Sequence, residues 1–449
     1  MVPNSWSTTT IGEIADLGSG STPSRKKQSV FFDGGTIRWV KTGDLNNSMI
    51  LDTEEKITAH ALEKSSCKIY PPGTLLVAMY GGFKQIGRTG LLGRKAAINQ
   101  ALTAISLDLN RAVPEFVLNW LNHRVSDWKR LAGSSRKDPN ITKSEVAAFP
   151  LLLPPTSEQK AIVSILSTWD RGIRQLTDLL AAKVSFKQGL TQRLLSGEKR
   201  LTRHHVGHGT EHEVKEITGD SIVSLEVEFG VTGKSFKEGI PTVNNCPSGW
   251  RQHTFRDVLE VVERPAEIRS DVTYQLVTAK RYRGGIIPRE QLRGDQIKTK
   301  TQFLAAAGDF LISKRQIIHG ACGIVPGSLD RAVVSNEYAC LRPSNHLDPG
   351  FLKYLTCTRY FQQTCFHASV GVALEKMIFR LDQWLKHVVN LPPIEEQKAI
   401  AHCLSTMDRE ILLLARQRRL LKEQKKGLMQ KLFSGDVRVR LSRKGDGDA

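Results

Sequence analysis

Cysteine is scarce in this 449-residue chain, and its placement fits neither a disulfide framework nor a metal site. The seven cysteines stand singly. Even the two nearest, Cys357 and Cys365, have seven residues between them, which matches neither a zinc knuckle nor a C-x-x-C redox pair. An odd number of isolated cysteines is typical of a reducing compartment. We therefore expect a cytoplasmic protein.

Long hydrophobic runs are also missing. No apolar run approaches the roughly 18 residues of a membrane span, and the first residues, MVPNSWSTTTIGEIADLGSG, have no apolar core of a signal peptide. The hydrophobic content of 40% is nevertheless that of a globular protein. Because a single core rarely serves a chain of this length, we expect two or three domains.

Signatures of catalysis are the third absence. No glycine-rich cofactor loop follows a predicted strand, and the Pro-Pro pairs follow leucine rather than the asparagine of an N-P-P-Y/F motif. Glu158 with Lys160, and Glu396 with Lys398, match the E-x-K of metal-dependent nucleases in form only, because each triplet opens a predicted helix. Four histidines within 204–212 lie on a polar segment without cysteine, which is typical of adventitious zinc binding. We predict no catalytic residue, no metal site and no bound cofactor.

Positive charge, in contrast, is abundant. The chain has 64 Lys and Arg against 45 Asp and Glu, a formal net charge of +19. A globular protein this basic commonly binds a polyanion, and nucleic acid is the first candidate. Charge alone does not separate DNA from RNA or from an acidic protein, and a solvated basic surface without a partner is the simpler alternative.

The chain also repeats itself. LPPTSEQKAIVSILSTWDR begins at Leu153 and LPPIEEQKAIAHCLSTMDR at Leu391, with thirteen of nineteen positions identical at a constant offset of 238. The repeat continues without a gap to KQGLTQRLLSGEKR and KKGLMQKLFSGDVR. Each copy starts after Pro-Pro and ends on Ser-Gly, the signals of a helix start and of a left-handed helix end at Gly197 and Gly435. Thr156 and Gln159 have the spacing of a capping box.

Each copy carries an apolar stripe that steps by three and four residues. The positions are Ile162, Leu166, Trp169, Ile173, Leu176, Leu180, Leu190 and Leu194, and then Ile400, Leu404, Met407, Ile411, Leu414, Leu421, Leu428 and Leu432. This period predicts coiled-coil helices of about 40 residues and roughly 60 Å. Charges at Lys183, Lys187, Arg418 and Lys425 interrupt the stripe and are expected to set register and direction. We predict that the two helices pack antiparallel, with a globular segment at each end.

The segments that precede the helices are related more distantly. Trp6 aligns with Trp250, Asn99 with Asn336, and both segments combine short β-branched strands, glycine turns and helices such as Pro114–Leu131 and Pro349–Phe366. This mixture predicts two α/β domains. The predicted organisation is a domain at 1–152, a helix at 153–198, a polar linker at 199–245 with a candidate strand at 221–229, a second domain at 246–390, a second helix at 391–438 and a tail at 439–449.

These motifs together resemble the specificity subunit of type I restriction–modification systems. The resemblance rests on the two LPPxxEQKxI…LSxxD openings, the two KxGLxQxLxSG endings and the two tryptophan-led domain starts, and it spans nearly the whole chain apart from 199–245. It implies a mixed α/β fold of two target-recognition domains on double-stranded DNA, each reading one half of a split, asymmetric site. The linker is longer than a spacer requires, which leaves its role open.

The resemblance also implies partners. In that family the two conserved helices separate the recognition domains and dock two copies of a methylation subunit, and the specificity subunit performs no chemistry. The partner methylates adenine N6 with S-adenosylmethionine, and restriction subunits driven by ATP with Mg²⁺ cut unmodified DNA. A duplicated helix would offer two equivalent docking positions. It would also act as a ruler that holds two half-sites about one turn of DNA, roughly 34–36 Å, apart.

Candidate DNA-binding residues are basic and amide side chains on glycine-rich loops, because Lys and Arg bind phosphates while Arg, Asn and Gln read base edges. In the first domain they are Arg25, Lys26, Lys27, Lys41, Lys84, Gln85, Arg88, Ser134, Ser135, Arg136 and Lys137. In the second they are Lys280, Arg281, Tyr282, Arg283, Lys314, Arg315, Gln316 and Lys376. Solvated charge without a ligand is the alternative for each. Asn99 and Asn336 are interpreted as turn or strand-end residues.

Candidate spacer and partner-contact residues lie on the two predicted helices. They are Glu158, Gln159, Lys160, Leu166, Ile173, Leu176 and Leu190, with Glu396, Gln397, Lys398, Leu404, Ile411, Leu414 and Leu428. We interpret the apolar stripes as the seam between the helices and expect partner contacts on the flanking positions and helix ends. Glu158, Gln159, Lys160 and their equivalents are expected to fix those ends.

Two other functions stay open at this point. A stand-alone regulatory DNA-binding protein could use the same two domains without an enzyme partner. A structural coiled-coil protein would have little need of a +19 charge or of two dissimilar domains. The helices agree closely while the loops differ, which favours a subunit that reads two different half-sites.

Overall fold

A computed structural model of the chain describes residues 3–133, 139–201, 238–243, 245–299 and 301–439. The candidate strand at 221–229 and the four histidines of the linker lie outside the described residues. The fold divides into two compact units. The first contains the described residues up to Gln175 and from Arg419 onward, and the second contains Leu176–Arg418.

The first unit is built from short strands and helices around one large core and two smaller ones. Its strands are β1 Ser7–Thr10, β2 Ala15–Ser19, β3 Ile37–Val40, β4 Met49–Ile50, β5 Lys56–Ile57, β6 Ile69–Tyr70, β7 Leu75–Ala78, β8 Thr89–Leu92, β9 Ala96–Ile98, β10 Leu102–Leu107 and β11 Pro150–Leu153. Its helices are α1 Gln28–Phe31, α2 Ala59–Glu63, α3 Pro114–His123, α4 Val125–Gly133, α5 Lys143–Ala147 and the start of α6 Thr156–Leu195.

The second unit repeats this plan. Its strands are β12 Arg251–Thr254, β13 Leu259–Val261, β14 Thr273–Ala279, β15 Ile286–Arg293, β16 Gln302–Ala305, β17 Phe310–Ser313, β18 Cys322–Ile324, β19 Ala332–Ser335, β20 Tyr338–Pro343, β21 Ser369–Val370, β22 Ile378–Phe379 and β23 Val388–Leu391. Its helices are α7 Phe255–Val258, α8 Pro349–Leu355, α9 Arg359–His367, α10 Leu381–Trp384, the second half of α6 and most of α11 Ile394–Ser434, whose last residues belong to the first unit.

The sheets of the two units share one plan, except that, among the described strands, β4 in the first unit and the β21–β22 pair in the second have no counterpart. In the first unit β1 pairs with β11, and two larger sheets have the orders β2-β10-β7-β8-β4 and β5-β3-β9-β6. In the second unit β12 pairs with β23, and the larger sheets have the orders β13-β20-β17-β18 and β15-β14-β19-β16. In each unit one pair of the second larger sheet is parallel, β3 with β9 and β14 with β19. The predicted mixed α/β fold with an internal repeat is confirmed.

Each domain core contains a stacked pair of aromatic rings. In the first unit Trp128 stacks on Phe149 with ring centroids 3.7 Å apart. In the second unit Phe255 stacks on Trp384 at 4.3 Å, and Phe361 meets Trp384 edge-on. Large buried rings of this kind supply much of a small core's apolar burial.

The two long helices end as the sequence predicted. Gly197 and Gly435 have positive φ angles of 75° and 78°, the left-handed conformation that glycine adopts without strain. Beyond them the amide of Lys199 donates to the carbonyl of Arg193, and that of Val437 donates to Lys431. The same residues of both copies therefore stop the helix in the same way.

Within each unit the helices pack antiparallel along the predicted stripe. In the second unit Leu180, Ile411 and Ala415 form one small core. The Nζ of Lys183 lies 2.7 Å from the carboxylate of Glu410, while Lys187 pairs with Asp408. The numbers rise along one helix as they fall along the other, which confirms the antiparallel direction within this unit.

The first unit contains an ion pair equivalent to Lys187–Asp408, formed by the residues that lie 238 positions away in the repeat. The Nζ of Lys425 donates to both carboxylate oxygens of Asp170, at 2.6 and 2.8 Å. Near the start of α6, Ile162 and Leu166 are buried in the same core as Leu432 and Phe433. The charges that interrupt the apolar stripe at Lys183, Lys187 and Lys425 are thus ion pairs between the two helices, a device that specifies register.

Two predicted helices differ from the structure. The segment predicted as one helix over Pro114–Leu131 is divided at Arg124. The Arg124 amide donates the last hydrogen bond of α3, to the carbonyl of Trp120, and its guanidinium pairs with Asp127 of α4. The segment predicted over Pro349–Phe366 is divided before Thr358, whose hydroxyl accepts from the amide of Phe361 and starts α9. In both cases a local cap or ion pair begins a new helix within the apolar pattern.

Candidate nucleic-acid interface

The long helices join their domains through two buried glutamines at equivalent positions. The Gln159 side chain accepts from the amide of Val113 at 2.8 Å and donates to the carbonyls of Arg111 and Pro154 at 2.9 and 2.8 Å. The capping box expected between Thr156 and Gln159 is replaced by these bonds, because the amide group points into the domain. Because the Gln159 side chain is fully buried, these bonds supply the partners that its polar atoms need.

Gln397 makes the same set of bonds in the second unit. It accepts from the amide of Asp348 at 2.9 Å and donates to the carbonyls of His346 and Pro392 at 2.8 and 2.9 Å. Both glutamines have no exposed surface. The glutamine of each repeated triplet thus fixes the direction in which its helix leaves the domain.

The glutamate before each glutamine is bound by an arginine that follows the other long helix. Arg438 donates to both oxygens of Glu158 at 2.7 and 2.8 Å, and the Trp6 indole donates to the same carboxylate at 3.1 Å. Arg200 likewise donates to both oxygens of Glu396 at 2.7 Å. The hydrogen bond to Glu396 raises the pKa of Arg200.

Each arginine also lies over the tryptophan that opens a domain. The guanidinium carbon is 5.8 Å from the ring centroid both for Arg438 over Trp6 and for Arg200 over Trp250. A cation at this distance from an indole face is attracted to it. The carboxylates of the two E-x-K triplets therefore have a structural role. We call the two long helices, with the buried glutamines and the Glu–Arg pairs at their ends, the frame.

The other candidate spacer residues follow the seam. Leu166, Leu404 and Ile411 are buried, Ile173, Leu176, Leu190, Leu414 and Leu428 are half-buried, and Lys160 and Lys398 are exposed. Lys398 forms an exposed ion pair with Glu395 at 3.2 Å.

Three loops of the second domain bring most of its candidate cations together. These are the turn Lys280–Gly285, the β17–β18 connection that begins at Lys314, and the β21–β22 hairpin that carries Lys376. The amide of Arg283 donates to the carbonyl of Gly320 at 2.9 Å, and the amide of Phe379 donates to the carbonyl of Lys314 at 3.1 Å. Backbone bonds therefore hold the three loops at one surface, the second-domain patch.

The turn at the centre of the second-domain patch has a strained backbone. Tyr282 and Arg283 have φ angles of 62° and 61°, a conformation uncommon for residues other than glycine. Tyr282 is about half exposed. Arg281 forms an ion pair with Glu375 of the hairpin at 3.1 Å, and Glu375 also lies 3.4 Å from the Nε2 of His319. Burial lowers the pKa of His319.

The candidates on the β17–β18 connection are partly engaged. Arg315 donates to both oxygens of Glu337 at 2.6 and 3.1 Å, and that hydrogen bonding raises the pKa of Arg315 and lowers that of Glu337. The Nζ of Lys314 donates to the carbonyl of Asn336 at 2.8 Å. The buried side-chain oxygen of Gln316 has no hydrogen-bond partner among the described residues.

In the first domain the candidates form two groups. Arg25 and Lys41 both bind the carboxylate of Glu55, each at 2.7 Å, and Lys41 also reaches Glu54 at 3.1 Å. Burial alone would lower the pKa of Lys41, but its hydrogen bonds to these carboxylates raise it. Arg25 also lies over the ring of Phe32 at 4.3 Å. Two of the predicted cations are thus held by acidic neighbours on the loop that precedes β5.

Lys26 and Lys27 are exposed on the 3-10 turn that precedes α1, with Lys27 5.4 Å from the ring centroid of Phe31. The second group lies on the β7–β8 loop. There Arg88 donates to the side chain of Gln85 at 2.7 Å and to the carbonyl of Leu45, while Lys84 is exposed. Ser134, Ser135, Arg136 and Lys137 lie outside the described residues.

Charge-based reasoning missed the apolar side of the second-domain patch. Val370 and Ile378 are more than half exposed and Val372 is fully exposed, on the hairpin that also carries Lys376. The signal in the sequence is a valine run broken by glycine, SVGVA, beside a lysine. Apolar tips of this kind contact thymine methyl groups or base steps in protein–DNA complexes.

The described residues contain neither a metal-binding cluster nor a membrane-spanning helix. Among them no group of His, Cys, Asp and Glu side chains is placed to hold a metal ion. Within the same part of the chain, no helix combines the length and the apolar character needed to cross a membrane.

Comparison with known proteins places these features in a family. A family model described as the type I restriction modification DNA specificity domain matches residues 3–182 and 247–423. The specificity subunit of the Escherichia coli type I restriction enzyme EcoR124I/EcoR124II is 26% identical over 181 residues, 40% of this chain and 44% of that protein. The specificity subunit of the Methanocaldococcus jannaschii enzyme MjaVIII is 24% identical over 308 residues, 67% of this chain and 65% of that protein. The chain thus spans less than two thirds of the length of these curated relatives.

A solved structure supports the fold over a longer range. A chain from a structural study of the assembly and conformational transition of the type I R-M system matches with a TM-score of 0.54 at 17% identity, covering 97% of this chain and 100% of that one. This likeness concerns the fold alone. Because the family model covers more than half of the sequence, in two segments that coincide with the repeat, the chain belongs to the family of type I restriction modification DNA specificity domains.

Proposed function

We propose that this chain is the DNA sequence-recognition subunit of a type I restriction–modification complex, in which each domain reads one half of a bipartite, asymmetric target. The observation that carries the proposal is the contrast between the frame and the loops. Gln159 and Gln397 make the same three bonds, and Asp170–Lys425 repeats as Lys187–Asp408. The loops of the two domains differ in charge and in apolar surface. A repeated frame suits repeated partners, and unlike loops suit two unlike half-sites.

The second-domain patch supports a DNA ligand. Arg281, Lys314 and Lys376 supply positive charge for phosphates, and Tyr282 and the exposed valines supply the apolar contacts that base edges accept. The net charge of +19 agrees with a polyanionic partner.

The partners follow from the repeat. Two copies of a methylation subunit would dock on the two equivalent halves of the frame, as expected of a pseudo-two-fold arrangement. Those subunits would bind S-adenosylmethionine and methylate adenine N6, and restriction subunits would use ATP with Mg²⁺. This chain would be non-catalytic, and the complex would act in the cytoplasm, where the DNA is.

The proposal is tested with the purified full chain and its candidate methylation subunit. Transfer of radiolabelled methyl groups from S-adenosylmethionine to adenine in genomic DNA is measured with each protein alone and with both together. We expect transfer only from the pair, at a two-part sequence. Transfer by the methylation subunit alone, at the same sites and rate, would contradict the proposal.

The same experiment distinguishes the recognition subunit from a stand-alone DNA-binding regulator. A regulator predicts tight, sequence-specific binding by the isolated chain and no dependence of methylation on it. A gel-shift competition with the isolated chain, at fixed salt, measures whether the chain alone binds DNA sequence-specifically.

A further inference from the structure

Two aromatic side chains are exposed on the loop that joins β7 to β8 in the first domain. Phe83 is 52% exposed and Tyr80 is 37% exposed. Gly81 and Gly82 stand between them with φ angles of 116° and 84°, so the backbone makes a turn that only glycine adopts without strain. Exposed apolar side chains that are grouped on one loop are candidates for a binding surface. We call residues 79–85 the aromatic tip.

The base of the loop is firmly held. Ile86 is buried, and a side chain at Gly87 would meet Trp128 at 2.6 Å, so the backbone packs directly on that ring. The amides of Gln85 and Ile86 both donate to the carbonyl of Gly82, at 2.9 and 3.1 Å. The rings are therefore presented by a closed, hydrogen-bonded turn.

The aromatic tip is absent from the equivalent loop of the second domain. Between β17 and β18 the residues Ile317 and Ile318 are buried, and Arg315 is paired with Glu337. The long helices, in contrast, repeat their buried bonds at an offset of 238. A surface for one of two identical partner proteins would be repeated in both domains. A surface found in one domain alone suits a ligand that differs between the domains, which is the DNA half-site.

The neighbouring charge agrees with a nucleic-acid ligand. Lys84 follows Phe83 directly, is exposed, and forms no ion pair with any residue that the structure describes. Arg88 lies at the base of the same loop. An aromatic ring beside an unpaired lysine can contact the base stack while the cation binds the adjacent phosphate.

We propose that Phe83 is a specificity-determining wedge, which inserts against a base step in the half-site of the first domain while Lys84 binds the neighbouring phosphate. The inference rests on the proposed function and deepens it. An apolar wedge partly unstacks the bases it enters, and this costs least at pyrimidine–purine steps. The first half-site should therefore contain a TA or CA/TG step at the wedge position, where the protein makes few hydrogen bonds to base edges.

The test uses the full chain assembled with its methylation subunit and a duplex that carries the two-part methylated motif. 2-Aminopurine replaces one adenine at a time, because its fluorescence rises when the base unstacks. We expect the wild-type complex to raise the signal at one step of the first half-site, and Phe83→Ala to remove it and weaken binding about tenfold. Phe83→Tyr should restore both, since the ring is kept.

Salt dependence separates the two side chains. Phe83→Ala should leave the slope of log K against log salt unchanged, while Lys84→Ala should reduce it by about 0.9 for one lost phosphate contact. Leu109→Ala is the matched control, since Leu109 is 69% exposed in the same unit and lies outside the aromatic tip. It should leave affinity, slope and fluorescence unchanged.

The outcomes are distinct. Wild-type binding with no unstacked step, or Phe83→Ala binding as tightly as wild type, would overturn this inference and leave the proposed function standing. Loss of assembly with the methylation subunit in Phe83→Ala would assign the aromatic tip to a protein partner and also overturn it. Failure of the wild-type complex to prefer its motif over random DNA would overturn the proposed function, and this inference with it.

Discussion

At the scale of single residues, the candidate cations differ in how strongly acidic neighbours hold them. Arg25 and Lys41 share Glu55, and Arg315 is bound bidentately by Glu337. Lys376 is exposed, and Arg281 meets a single carboxylate that is itself exposed. Surface pairs of the last kind contribute little. DNA phosphates should therefore recruit Arg281 and Lys376 more readily than Arg25 or Lys41.

This ordering gives a prediction for the second-domain patch. Arg281→Ala and Lys376→Ala should each weaken DNA binding and reduce the salt slope by about one unit, because each removes one released counterion. The measurement is fluorescence anisotropy of the full complex at several salt concentrations. Arg289→Ala, an exposed arginine of β15 paired with Glu290, is the control. Equal slopes for all three variants and wild type would remove the second-domain patch from the interface.

A second residue-scale prediction concerns the frame. Gln397→Leu keeps the size of the side chain but leaves the amide of Asp348 and the carbonyls of His346 and Pro392 without their partner. The free energy of unfolding should fall by roughly 2–4 kcal/mol, because buried polar groups without partners are costly. Chemical denaturation followed by circular dichroism measures the change. The control Gln417→Leu, at an exposed position of α11, should leave the free energy of unfolding within about 0.5 kcal/mol of wild type. A similar loss in the control would show that leucine destabilises the helix at either position and that the buried bonds of Gln397 are not the cause.

At the scale of elements, the sequence predicted the long helices well because their signals are local. A heptad stripe, a Pro-Pro start and a Ser-Gly end lie within each copy, and both glycines adopt the left-handed conformation. The shorter helices were predicted less well, because a cap at Thr358 and an ion pair at Arg124 outweigh a continuing apolar pattern. Gln159 was expected to fix the helix end, but its partners Val113 and Arg111 were not predictable because they lie in another part of the chain.

The charges within the stripe give the element-scale prediction. Lys425→Asp should destabilise the first unit, because two carboxylates then face each other where Lys425 and Asp170 now pair. Exchanging both residues, as Asp170→Lys with Lys425→Asp, should recover most of the loss. A double-mutant cycle on chemical unfolding should give a coupling of about 1 kcal/mol.

The control for this cycle is the exposed Arg419–Glu423 pair on α11, with atoms 4.0 Å apart. Exchanging its two charges should give almost no coupling. A coupling for Asp170 and Lys425 no larger than that of the control would show that the apolar seam alone sets the register.

At the scale of the whole molecule, the interface was only partly predictable. Composition predicted a polyanionic ligand, and loop position predicted several cations that the structure brings together in the second-domain patch. Which cations are already paired was not predictable, because Glu55 and Glu337 reach them from loops distant in sequence. The exposed rings of Tyr80 and Phe83 were missed because reasoning from charge ignores apolar residues. The predicted residues Arg136 and Lys137 lie outside the described residues.

The ruler idea remains a prediction at this scale. Inserting one heptad at equivalent positions of α6 and α11 adds about 10 Å to each helix. The gap between the methylated half-sites should then grow by about three base pairs, at roughly 3.4 Å each, with both half-site sequences unchanged. A variant with seven substituted residues and no insertion should keep the original gap. A changed half-site sequence would contradict the idea.

The most direct test of the central claim is a map of N6-methyladenine across genomic DNA, from cells that contain the candidate methylation subunit with and without this chain. The account predicts methylation at a two-part motif with a fixed gap, present only with the chain. It also predicts that exchanging the two recognition domains exchanges the halves of the motif. Identical maps with and without the chain would contradict the account and favour the stand-alone regulator.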